Sequence, residues 1–66
     1  MQITLNGAPQ ECADDATVAT LLEAAGYAGR RVAVEVNREI VPKSQHPARA
    51  LRDGDRVEIV HAIGGG

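Results

Sequence analysis

Cys12 is the sole cysteine in a chain of 66 residues, and this narrows the available folds more than any other feature. One thiol cannot form an intramolecular disulfide, and no zinc site can be assembled from cysteines alone. His46 and His61 complete no ligand pattern with it. A chain this short is near the lower limit at which apolar packing suffices without such staples. Its core must therefore come from short segments with strict patterning. The expectation is one reduced, cytoplasmic domain.

Those segments can be followed in order. Met1-Gln2-Ile3-Thr4-Leu5 alternates, which predicts a strand with Met1, Ile3 and Leu5 on one face. Asn6-Gly7 predicts a two-residue hairpin, because both central positions of a type I′ turn need positive φ. A second strand follows around Gln10-Glu11-Cys12, with Pro9 at its start or on an edge. Thr17 has the chemistry of a helix N-cap, and Ala16 and Leu21 occupy the positions of a weak hydrophobic staple. Val18, Leu21, Leu22 and Ala25 recur at i, i+3, i+4 and i+7, so a short helix turns one stripe to the core. Gly26 or Gly29 ends it. From Arg31 to Val36 runs the clearest strand, with Val32, Val34 and Val36 on one side. Asn37-Arg38-Glu39 turns into Ile40-Val41, which Pro42 closes. Lys43 to Arg52 sustains no pattern and reads as a loop with one helical turn, tied in by Leu51. Asp53-Gly54-Asp55 then releases the chain into a final strand, Arg56 to His61.

The predicted order is β-β-α-β-β-β, a two-layer α+β domain with a mixed sheet of about five strands and the helix on one face. A small β-grasp, ubiquitin-like roll fits it. Residues 1–66 make a single domain, with 62–66 expected as a flexible, Gly-rich tail.

Composition excludes several functions. Net charge is −2, Arg30-Arg31 is the one basic doublet and Tyr27 the one aromatic residue, which is poor equipment for nucleic acid. No apolar run is long enough to span a bilayer, and no basic segment followed by an apolar run suggests a secretory signal. Ser44, Cys12 and the histidines have no diagnostic spacing for nucleophilic catalysis. The acidic pairs Asp14-Asp15 and Asp53/Asp55 stand at a helix start and a turn, where carboxylates cap N–H groups or favour the helix dipole. No helix and no Lys-Ser/Thr follow Gly64-Gly65-Gly66, so these glycines are not a phosphate loop. Cys12 reads as a half-buried strand residue. His61 reads as exposed, and Arg30 and Arg31 as the solvated end of the third strand. By elimination the reactive group is no side chain but the carboxylate of Gly66, at the tip of an arm without side chains.

The whole chain resembles the ThiS family of small sulfur carriers in thiamin thiazole biosynthesis. The likeness is carried by Met1-Gln2-Ile3, Thr17-Val18 with Leu21-Leu22, Val34-Glu35-Val36-Asn37, Ile40-Val41-Pro42, Asp53-Gly54-Asp55, Val57-Glu58-Ile59-Val60 and the terminal glycines. It implies a carrier and not an enzyme. A ThiF-like adenylyltransferase would use ATP and Mg to join the Gly66 carboxylate to AMP, with no cofactor bound by the carrier itself. Sulfur drawn from a cysteine desulfurase would convert the adenylate to a thiocarboxylate. A ThiG-like thiazole synthase would take that sulfur. Gly65 and Gly64 complete the tail motif, although the minimal motif of the family is Gly-Gly and Gly64 is extra. Val60, Ala62 and Ile63 are the residues assigned to partner contact. The alternatives are a MoaD-like carrier for molybdopterin or another acceptor, a ubiquitin-like modifier joined to lysines, and a binding module whose tail does nothing. MoaD-like chains carry an aromatic, proline-rich segment before their glycines, where this chain has Val60-His61-Ala62-Ile63.

Overall fold

In a computed structural model, described over residues 1–61, the alternating segments become strands β1 (Gln2–Leu5), β2 (Ala8–Glu11), β3 (Val32–Val36), β4 (Glu39–Val41) and β5 (Arg56–His61). One helix, α1 (Val18–Ala24), and a 3-10 turn at Lys43–Gln45 complete the described elements. The five strands form one sheet in the order β2-β1-β5-β3-β4. β5 enters last in sequence but lies in the middle. It pairs parallel with β1 (Thr4 opposite Arg56, Leu5 opposite Val57) and antiparallel with β3 from Val32–His61 to Val36–Val57.

Period-2 alternation decides which face is buried. Ile3, Val34, Val36, Val41, Val57 and Ile59 turn inward and meet Val18, Leu21 and Leu22 of α1, with Leu51 closing the core from the long loop. Met1, Leu5 and Val32 pack half-buried against this cluster. Pro9, which has no N–H to give, falls on edge strand β2 as expected.

Helix α1 spans seven residues, too few to stand without packing and good end chemistry. Thr17 is its N-cap. Its hydroxyl accepts from the Thr20 N–H at 3.2 Å, and the Thr20 hydroxyl accepts from the Thr17 N–H at 2.8 Å. This is a reciprocal capping box closed by a threonine where Glu or Gln is usual. The remaining open N–H groups of the first turn go to the long loop: Val18 donates to the Arg49 carbonyl and Ala19 to that of His46, both at 3.0 Å. Of the two glycines expected to end the helix, Gly26 does so. It has φ +86°, and the Tyr27 N–H reaches back to the Leu22 carbonyl at 2.8 Å in a Schellman closure.

The pattern-poor stretch from Lys43 to Arg52 contains the expected helical turn and buries Leu51. It is more than filler. Besides capping α1 it buries His46, whose Nε2 lies 3.0 Å from the Val41 carbonyl and so donates to it. One expectation is corrected. Asp14 does not cap the helix; its Oδ1 accepts from the amino group of Met1 at 3.1 Å, and Thr17 takes the cap.

Candidate functional site: the strand that leads to the glycines

The candidate site is the end of β5 and the chain that follows it. Val60 is the one assigned contact residue within the described part. Ala62, Ile63, Gly64, Gly65 and Gly66 lie outside the described residues, as does the proposed tail 62–66. Val60 lies on the sheet face away from α1 and is 58% exposed. His61 is exposed on the other face, with its ring centroid 6.2 Å from that of Tyr27.

β5 is anchored from both sides along its length. On one side β1 supplies two rungs: the Thr4 N–H donates to the Asp55 carbonyl and the Asn6 N–H to that of Val57, both at 2.9 Å. There β1 turns away into its hairpin, and the Ile59 N–H would face no carbonyl. The Asn6 side chain replaces the missing rung, its Oδ1 accepting from Ile59 N at 2.7 Å. On the other side Asn37 performs the same task at the β3–β4 hairpin. Its Oδ1 accepts from Arg56 N at 3.0 Å, its N–H donates to the Arg56 carbonyl at 2.7 Å, and its Nδ2 donates to Asp55 Oδ1 at 3.0 Å. Buried Asp55 also accepts from Arg52 N at 2.8 Å, so its carboxylate ties the preceding turn to the strand.

Asn6 and Asn37 have φ of +51° and +52°, a region that asparagine enters more readily than most side chains. One residue type thus makes each hairpin turn and clamps the central strand. The acidic turn residues read as structural are structural: Asp53 Oδ1 accepts from Gln2 N at 2.8 Å, and Asp55 is the bridge just described. The clamp itself was not anticipated. The available signal was Asn at the first position of two separate two-residue turns.

A prediction follows for Asn6→Gly, which keeps the positive φ and removes only the side chain. It leaves the Ile59 N–H without its acceptor and costs about 1–2 kcal/mol in urea melts, with faster amide exchange at Ile59. An unchanged exchange rate at Ile59 would show that the clamp does not hold the strand.

Nothing in the described part resembles a catalytic or metal centre. No group of three or more His, Cys, Asp or Glu side chains among the described residues is placed to hold a metal ion. Cys12 is half-buried against the core, and the described chain has no helix long and apolar enough to cross a membrane. A groove of about 420 Å³ opens on the helix side near the end of β5, with Leu22, Tyr27, Arg30, Val32, Lys43 and His46 among its lining residues.

A five-stranded mixed sheet with β5 inserted between β1 and β3, one helix across one face and a clamped central strand leading to the glycines define a class: a ubiquitin-like β-grasp domain. The thiamine biosynthesis protein ThiS of Geobacter metallireducens, known from its crystal structure, is 36% identical and superposes with a TM-score of 0.87, each chain covered in full. The model of the ThiS family matches residues 3–66. The chain belongs to the ThiS family. Among its relatives, the sulfur carrier protein ThiS of Escherichia coli K12 is 35% identical over 66 residues, covering all of both chains. A thiazole synthase of Paramagnetospirillum magneticum is 47% identical over all 66 residues, but the chain spans 20% of that protein's length.

Proposed function

We propose that this chain is a sulfur carrier of thiamin biosynthesis, with the carboxylate of Gly66 as the group that carries sulfur. The observation that bears most weight is a family match that runs without a break from Ile3 through the terminal glycines. Like the ThiS family as a whole, the chain is a small carrier and not a catalyst. It works in the cytoplasm, and its partners supply the chemistry.

A carboxylate resists attack by sulfur because its leaving group would be oxide. A ThiF-like adenylyltransferase overcomes this with ATP and Mg. The Gly66 carboxylate attacks the α-phosphorus, pyrophosphate departs, and the acyl carbon now bears AMP as its leaving group. The terminal sulfur of a persulfide, made by a cysteine desulfurase, attacks that carbon. The C–O bond to AMP breaks as the C–S bond forms, and a thiol then reduces the S–S bond to free the thiocarboxylate. A ThiG-like thiazole synthase accepts that sulfur. The relative named thiazole synthase supports this partner, since a region like the whole of this chain forms part of it. Gly64 and Gly65 keep the approach to the acyl carbon free of side chains. Val60, Ala62 and Ile63 are assigned to apolar contact with the partners.

Intact mass after incubation with the adenylating enzyme, Mg-ATP and a sulfur donor tests this reading. The expected result is a gain of AMP, then replacement of one oxygen by sulfur. A mass that stays constant, with the enzyme proven active on another carrier, would refute it. Appearance of the chain joined to lysines would instead identify a modifier.

A further inference from the structure

The sheet face away from α1 holds an arrangement that folding alone does not explain. β3 and β5 set Glu35 directly opposite Glu58 and Ala33 directly opposite Val60. β4 adds Ile40 opposite Glu35. Three adjacent strands therefore present the row Ile40, Glu35, Glu58, with Ala33 and Val60 in the next row towards the end of β5. Ile40 is 72% exposed and Val60 58%, the two large apolar side chains left open among the described residues. Like charges directly opposite on neighbouring strands repel and destabilise a sheet. Neither carboxylate has a hydrogen bond or ion pair among the described residues. Arg56, two residues before Glu58 on the same face, makes no ion pair with it.

Such a pair costs the free domain stability and gains by receiving a cation. Facing side chains on paired strands are about 5 Å apart. A guanidinium has five donors in a rigid plane and can bridge two carboxylates at that spacing, which a lysine ammonium, a point charge, does less well. Ile40 and Val60 on either side supply the apolar rim that shields such a contact from water. Val60 is also one residue before the end of β5, so a protein seated here holds the domain at the root of the glycine segment. That is where an enzyme acting on Gly66 must grip.

We propose, on the carrier reading above, that the adenylating partner docks on this face and inserts an arginine between Glu35 and Glu58, with Ile40 and Val60 packed beside it. The contact confers recognition and takes no part in the chemistry.

The test is steady-state adenylation, read as pyrophosphate release, for the wild type and for Glu35→Gln/Glu58→Gln at low and raised ionic strength. The expected result is a KM for the carrier raised about tenfold with kcat unchanged, and a KM that depends less on salt than that of the wild type. The variant's Tm equals or exceeds that of the wild type, because the repulsion is gone; a structural role for the pair would lower it. An unchanged KM, or a fall in kcat alone, overturns the assignment. A KM that rises only for the thiazole synthase step also overturns it, and moves the arginine to that partner. If the wild type itself gains no AMP, the carrier reading falls and the docking site with it. If the wild type is adenylated and the variant matches it, only the docking site falls.

Discussion

Leu21→Ala is expected to remove about 2–5 kcal/mol of stability, the range for truncating a buried leucine where the surroundings cannot fully collapse. Leu21 is 2% exposed and belongs to the stripe by which α1 is held to the sheet. The helix has seven residues, so it has little stability of its own to offset the loss. A domain of this length is stable by roughly 3–10 kcal/mol in total. The variant should therefore be partly unfolded at 37 °C, with a urea midpoint far below that of the wild type and an unchanged m-value. A loss under 1 kcal/mol would mean that the helix packs less tightly than its burial indicates. Leu21→Met, which conserves volume, should lose less than about 1.5 kcal/mol and serves as the control.

The contrast between Leu21 and Asn6 shows what this sequence discloses. Leu21 is legible because burial has a period, and Val18, Leu21 and Leu22 repeat it on the helix as Val32, Val34 and Val36 repeat it on β3. Local turn chemistry is equally legible: Asn6-Gly7, Thr17 and Asp53-Gly54 each act within a few residues of where they stand. The insertion of β5 between β1 and β3 follows from the element order only by analogy with a known roll, since no periodicity specifies a parallel partner 50 residues away. Single hydrogen bonds across such distances are less legible still. Asn6 reaches Ile59, Asn37 reaches Asp55 and Arg56, and His46 reaches Val41. Each is one polar residue meeting one partner, which leaves no repeat to detect. The long loop was hard to read for the same reason, because its carbonyls cap α1 through backbone atoms that any residue supplies.

The candidate site divides along the same line. Its glycines stand out in composition, while the rigid strand before them depends on contacts that only the fold reveals. The glycines are legible because a run of residues without side chains is rare in so short a chain. Val60 was assigned from sequence as an apolar residue near them, and the fold adds that it faces outward beside Ala33. The facing of Glu35 and Glu58 needed the register of β3 against β5, and a shift of one residue would have sent both to the core.

Gly65→Val is expected to abolish sulfur loading while leaving the fold intact. On the proposed mechanism the acyl carbon of Gly66 must reach the α-phosphorus of ATP inside an enzyme channel, and the residue just before it passes through the narrowest part. A β-branched side chain there restricts the backbone and widens the segment. Displacement of a reacting atom by about 1 Å can cost a factor of about 100 in rate. The measurable outcome is a loss of at least about 100-fold in AMP and sulfur addition by intact mass, with an unchanged Tm, because the clamps on β5 act at Arg56 and Ile59, before Val60. Gly64→Ala should lose far less, since the minimal tail of the ThiS family is Gly-Gly and the third glycine adds reach more than chemistry. Equal loading of Gly65→Val and wild type would refute the channel and leave the tail without the role assigned to it. A large loss for Gly64→Ala as well would show instead that all three glycines pass through the constriction.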